Sequence, residues 1–313
     1  MKYIKPYQIF EANAAAPAAL TAEQIEWLDE CVDGSWTLNP QTGLVDVDGD
    51  FDYWGQGLTD LKGVKFGKVS GNFNCEHNEL TTLDGAPQSV GGYFWCMNNQ
   101  LTTLEGAPQK VGGSIYCHKN QLTTLVGAPQ SVKGHFSCSD NRLTTLVGAP
   151  QSVGRDFDCG NNQLTTLEGA PQTVGEDFNC KDNVLITLVG APQSVGGHFN
   201  CEDNVLTTLV GAPQTVGRSF NCSDNRLTTL VGAPQTVGRS FFCSDNPVSE
   251  STLAGIFALM EEGMGYQQAL EEFWPDMSDE DMGLMYKQMP NLSPEDVRKY
   301  KALATYGNIK NYL

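Results

Sequence analysis

The sequence is short of basic residues, of long apolar runs and of any familiar catalytic motif, and each shortage excludes a class of function. Lys and Arg number 19 against 37 Asp and Glu, giving a formal net charge of −18 over 313 residues. The deficit is −8 over residues 1–62, −4 from there to 246 and −6 beyond. Such a balance repels phosphate backbones and anionic lipid, so nucleic acid and membrane are excluded as direct partners and a basic protein surface is favoured. No apolar run approaches the roughly 20 residues of a membrane span, and the N-terminus has no secretory core. The expectation is a soluble, cytoplasmic chain. His-Glu-x-x-His, phosphate-loop, Gly-x-Ser-x-Gly and dinucleotide patterns are all missing, so no enzyme chemistry and no cofactor is expected.

What the sequence has is repetition. Cys75, Cys96, Cys117, Cys138, Cys159, Cys180, Cys201, Cys222 and Cys243 fall at a constant interval of 21 residues. The unit, read from Phe199, is Phe-x-Cys-x-x-Asn-x-Leu-Thr-Thr-Leu-x-Gly-Ala-Pro-Gln-x-Val-Gly-x-x. Alternation in Phe199-Asn200-Cys201 places Phe and Cys on one face of a short strand and Asn on the other. Leu206, Leu209 and Val216 complete an apolar lining that stacked coils would bury. The cysteines read as reduced, buried small hydrophobes, because ladder thiols are in line and cannot converge tetrahedrally on zinc. The recurring asparagines, Asn78 to Asn246, sit where the chain leaves the strand and are suited to satisfy backbone groups of adjoining coils. Gly-Ala-Pro-Gln breaks any helix, so the return path should be extended or polyproline-like.

The stretch Phe-x-Cys-x-x-Asn-x-Leu resembles the second half of the leucine-rich-repeat signature, and Leu-Thr-Thr-Leu-x-Gly-Ala-Pro is similar to its short bacterial class. That class is familiar from effector ubiquitin ligases of enteric pathogens and from repeat proteins of large tailed phages. The resemblance implies an α+β architecture: a leucine-rich-repeat solenoid with a parallel β-sheet on its concave face, an N-terminal helical cap and a small C-terminal helical domain. The expected divisions are 1–43 (leader and capping helix), 44–246 (a degenerate first coil at Phe51 and Leu58, then nine strand units) and 247–313 (C-terminal helices). The cap helix is placed over Thr21 to Val32, with Ile25, Leu28 and Val32 on its apolar side. Helices are expected near Thr252–Glu262, Tyr266–Phe273, Asp279–Met289 and Pro294–Tyr306. Ubiquitin-ligase chemistry does not transfer, because residues 244–313 contain no cysteine to serve as nucleophile. The leader Met1 to Glu11 resembles those of tailed-phage proteins, and Ile9-Phe10-Glu11 resembles a prohead-protease site, which would imply packaging in a virion.

Functional residues are sought where the repeats vary. The run Asp46, Asp48, Asp50, Asp52 fails as an EF-hand, with glycine and glutamate misplaced, and reads as the solvent side of a strand. Two variable columns flank each repeat Phe. These columns and the positions beside them supply the candidate partner-binding residues: Tyr93, Trp95, Met97, Tyr116 and His118 as an exposed aromatic patch, then His135, Asp156, Asp158, Asp177, His198 and Phe242 along the same face. The implied function is non-catalytic protein–protein interaction by a monomer or weak oligomer, with a phage-encoded chain inhibiting a host or defence protein as the favoured form. Two alternatives remain open. A column of Asp140, Asp182, Asp203, Asp224 and Asp245 could mimic a nucleic-acid backbone, and Trp95 with Tyr116 could stack on sugar rings in an adhesin.

Overall fold

The structure, a computed structural model, describes residues 19–248. The leader and the helices expected after Pro247 lie outside the described residues.

The described chain opens with helix α1, Ala22–Cys31. Thr21 caps it through a capping box: the Gln24 N–H donates to Thr21 Oγ1, and the Thr21 N–H donates to Gln24 Oε1. The buried face is Trp27, Leu28 and Cys31, whereas Ile25 is exposed. The expected stripe of Ile25, Leu28 and Val32 is therefore corrected by nearly a quarter turn. Trp27 decides the orientation, because its large ring meets Phe51, Tyr53 and Phe66 edge-on at 5.3, 5.6 and 6.3 Å. The helix thus packs its Trp27 side against the apolar interior.

Strand β1, Val32–Leu38, follows without a break and pairs antiparallel with β2, Val45–Asp52. The first half of β2 pairs in parallel with β3, Phe66–Val69, and its second half with β4, Phe73–Asn74. One long strand therefore founds two ladders. The first ladder adds a two-residue strand per coil, in parallel and in register, through Phe94–Trp95, Ile115–Tyr116, Phe136–Ser137 and onward to Phe241–Phe242. The second runs through the Ser-Val and Thr-Val pairs on the return path, from Ser89–Val90 to Thr236–Val237, with one interruption between Lys110–Val111 and Ser131–Val132. The return path is thus extended, as Gly-Ala-Pro-Gln implies, but it also forms a ladder of its own. Glycine is required in front of each Ala-Pro: Gly148 has φ +93°, and a Cβ there would lie 2.4 Å from the Val126 nitrogen.

Every turn contributes the same side chains to the interior. Phe (Ile115 in one coil), Cys, two Leu and Val are buried in the coils before the last described one, as in Phe199, Cys201, Leu206, Leu209 and Val216, whereas Val237 and Phe241 are partly buried. Consecutive phenyl rings lie 4.7 to 5.8 Å apart, stacked except for the tilted pair Phe157–Phe178, and the series is interrupted where Ile115 stands between Phe94 and Phe136. All ten cysteines are free and buried. Cys75, Cys117, Cys138 and Cys201 each direct the thiol to a main-chain carbonyl of the next coil at 3.2–3.3 Å, and burial pushes these thiols far above their usual range. They behave as packing atoms rather than nucleophiles. Among the described residues, no helix is long and apolar enough to cross a membrane.

Candidate functional site

The strand face of the first ladder carries the variable columns, and hydrogen bonding explains most of what occupies them. In the column before each Phe, a side-chain acceptor takes the N–H of the equivalent residue one coil on. Asn72 Oδ1 accepts from the Tyr93 N–H at 2.8 Å, Ser114 Oγ from His135, Asp156 Oδ1 from Asp177, and Asp177 Oδ1 from His198. His198 continues the chain by accepting the Ser219 N–H on Nδ1. His135 meets Asp156 at 2.9 Å. Four candidate residues, His135, Asp156, Asp177 and His198, are therefore engaged in holding coils together. Their identity alone is no sign of a ligand.

The column between Phe and Cys has its own structural requirement. Asn74, Asp158, Asn179, Asn200 and Asn221 each close a local turn by accepting the N–H two residues on. At Trp95 and Tyr116 that turn bond is forgone, since indole has no acceptor and a phenol oxygen lies too far from its own main chain. The scaffold thus gives up a hydrogen bond of about 0.5–1.5 kcal/mol at each of two adjacent coils in favour of an aromatic ring. Ser137 and Phe242 depart from the rule too: Ser137 Oγ meets Ser139 Oγ at 3.4 Å instead, and Phe242 stands in the last described coil, six coils from Tyr116, and does not join the patch.

Geometry on the aromatic coils is close but less open than the sequence suggests. Tyr93 is exposed at 42%, whereas Trp95, Met97, Tyr116 and His118 are half-buried, which corrects the expectation that Trp95 faces solvent freely. Tyr93 stacks on Trp95 at 5.4 Å, and Tyr116 meets His118 edge-on at 6.3 Å. Burial, and then the Lys119 charge, hold His118 below the usual imidazole range, and its Nδ1 is buried without a protein partner. The strip also extends further than sequence reasoning placed it. Trp54, on the founding coil, is 55% exposed and packs edge-on against His77 at 5.6 Å. Glu76 lies between Trp54 and Met97 in the column after Cys. Burial raises its carboxyl, His77 pulls it back and Asp52 adds to the rise. The signal for Trp54 was available in the degenerate coil, three residues after Phe51, where the column after Cys has its counterpart.

The acidic column has a conformational origin. His77, Asn98, Lys119, Asp140, Asn161, Asp182, Asp203, Asp224 and Asp245 all have φ between 52° and 55° in this ladder's left-handed turn. Asn and Asp tolerate that region best among residues with a side chain. Replacing Asp203 by Asn should leave thermal stability unchanged, while Asp203→Val should destabilise by about 1–2 kcal/mol, read from urea denaturation. Equal stability of the two variants would contradict a backbone origin. Within the column, desolvation followed by the charges of Asp245 and Asp203 raises the Asp224 carboxyl. Among the described residues, no three His, Cys, Asp or Glu side chains converge on a metal-sized site. The aspartates of β2 are used instead across coils, Asp46 accepting from the Lys68 N–H and Asp50 from Asn72.

The turn after each Cys settles the architecture. Asn99 accepts the Leu80 N–H on Oδ1 at 2.9 Å and donates Nδ2 to the carbonyls of Cys75, Cys96 and Met97 at 2.9, 3.1 and 3.2 Å. The same set recurs down the ladder, as at Asn120 and Asn183. The coils stack as a parallel solenoid of 21-residue turns held by an asparagine ladder, the arrangement that the leucine-rich-repeat resemblance implies. No family model and no curated protein matches the chain. Among solved structures it is similar to YopM from Yersinia enterocolitica, with 21% identity and a TM-score of 0.47 over 64% of this chain and 47% of that one. It is also similar to YopM from Yersinia pestis, described as a leucine-rich effector protein, with 18% identity and a TM-score of 0.43 over 63% and 66%. The chain spans only part of the length of these two proteins, 47% and 66%.

Proposed function

We propose that this leucine-rich-repeat chain is a non-catalytic scaffold that captures a protein with a basic surface through the aromatic strip of its first coils. The supporting observation is the loss of the turn-closing Asx side chain at Trp95 and Tyr116, at the expense of local stability and beside the exposed Tyr93 and Trp54. Rings presented this way are the usual anchors of protein interfaces. The charge of −18 favours a basic partner. If the leader's phage resemblance reflects its origin, that partner is a host protein.

Both alternatives draw less support. Left-handed backbone geometry accounts for the aspartate ladder without nucleic-acid mimicry. Tyr93 already covers one face of Trp95, which leaves less of a platform for a sugar ring.

The test is affinity purification with the wild-type chain and with the Trp95→Ala/Tyr116→Ala double variant, followed by quantitative binding to the protein recovered. Binding should weaken on the order of 100-fold, the combined loss of two anchors of more than about 1 kcal/mol each. The melting profile should stay within about 1 kcal/mol of wild type. Undiminished binding by the folded double variant would exclude the strip as the interface.

A further inference from the structure

One open cleft at the α1 end of the strip is used by nothing described so far. It encloses about 380 Å³ and is lined by Glu30, Cys31, Asp52, Tyr53, Trp54 and Gln56. Two carboxylates share it with two aromatic rings, and neither Glu30 nor Asp52 belongs to an ion pair among the described residues. Asp52 is held in place by the Asn74 amide, which donates to its Oδ1 at 3.0 Å. Trp54 meets His77 in a T-shaped contact at 5.6 Å and is 55% exposed. The Cys31 thiol is pushed up to about 11, by burial first and then by Glu30, so at neutral pH it forms an uncharged wall and adds no anion.

The neighbouring rings already carry a cation. Lys62 Nζ sits 5.4 Å from the Trp27 centroid and 6.0 Å from that of Tyr53. The aromatic cluster at this end of the solenoid therefore attracts positive charge to its ring faces. Trp54, the most exposed ring of the cluster, has no such cation on it among the described residues. Lys62 offsets only part of the local negative charge, since Glu30, Asp52 and the nearby Glu76 outnumber it.

We propose that this cleft is a binding site for an arginine side chain of the partner protein, with the guanidinium laid on Trp54 and hydrogen-bonded to Asp52 and Glu30. Guanidinium fits better than ammonium for a physical reason. It is planar, so it stacks on an indole, and its fork of donors can engage carboxylates on two sides, whereas lysine presents a compact and strongly hydrated point charge. The inference rests on the protein-binding reading of the strip and adds the chemistry of one contact. The cleft would fix which end of a basic segment lies toward α1, with Trp95 and Tyr116 engaging the residues that follow.

The probe is an N-acetylated, C-amidated tetra-arginine peptide, titrated into the full chain at fixed ionic strength while the indole N–H resonances are followed. The Trp54 signal is assigned by its disappearance in Trp54→Phe. The peptide should shift the Trp54 resonance, and Asp52→Asn/Glu30→Gln should weaken binding on the order of tenfold. Asn retains an oxygen for the Asn74 amide, so this variant keeps the local fold. Tetralysine should bind several-fold more weakly, and equal binding would overturn the guanidinium assignment. A Trp54 resonance that does not move, or an affinity indifferent to the double variant, would overturn the site itself. Trp95→Ala/Tyr116→Ala should leave the Trp54 shift intact. If the cleft fails while that variant still loses the partner, only the cleft proposal falls; if the cleft responds while that variant keeps the partner, only the strip proposal falls.

Discussion

Replacing Asn183 by alanine should destabilise the protein by about 3–5 kcal/mol, although the substitution removes only an amide group. The Asn183 side chain accepts the Leu164 N–H at 2.9 Å and donates to the carbonyls of Cys159, Cys180 and Lys181 at 3.1, 3.2 and 3.1 Å. It is 7% exposed, so water has little access to the groups left behind. Each buried main-chain group that loses its partner costs about 1–3 kcal/mol, which outweighs the modest net value of the bonds themselves. Asn183→Asp sharpens the test. It keeps the shape and the acceptor but offers no donor to three carbonyls and places a charge among them, so it should be no better than alanine. Urea denaturation of both variants is the measurement. A loss below about 1 kcal/mol for either would mean that the asparagine ladder does not hold the coils together. Because each coil touches only its neighbours, a break at this point should also divide one cooperative transition into two.

Phe199→Ala is expected to be comparably damaging, by about 3–5 kcal/mol, for a different reason. The Phe199 ring stacks between Phe178 at 5.1 Å and Phe220 at 5.4 Å, nearly parallel to both, and is fully buried. Alanine leaves a cavity that stacked coils cannot close without shortening the solenoid. Phe199→Ile should cost less than about 1.5 kcal/mol, since the protein already accepts isoleucine at Ile115, where it interrupts the ring stack and remains buried. A chemical-denaturation series of Phe, Ile and Ala at this position separates packing volume from ring stacking. If Ile proved as harmful as Ala, ring stacking would outweigh packing volume.

The interior was legible in the sequence because a constant interval and a two-residue alternation leave no freedom over which side chains face inward. Asn78 to Asn246 could be read as structural on the same grounds. The second ladder was hidden, since Ser-Val and Thr-Val pairs are too short to show any period and follow a Pro that ordinarily argues against a strand. The helix face was misread because two apolar stripes compete over Ala22–Cys31; Trp27 with Cys31 prevails over Ile25 because the indole packs against Phe51, Tyr53 and Phe66. The candidate site was legible as an aromatic cluster at Tyr93, Trp95 and Tyr116, but its neighbours were not interpretable. Whether Asp156 or His198 faces a ligand or caps the next coil depends on which N–H lies beside it, a relation between residues 21 apart along the chain. The left-handed turn likewise turns Asp203 and its counterparts from a charge signal into a backbone preference.

The in-register ladders have a genetic corollary. A coil inserted between two existing ones meets the same asparagine bonds, phenyl rings and left-handed turn above and below, so duplication or loss of a whole unit leaves both new junctions chemically ordinary. The rings and the cleft are gathered beside α1, at the end that such changes farther along would leave alone. Lineages could therefore lengthen or trim this molecule by unequal recombination while inheriting the proposed binding end intact.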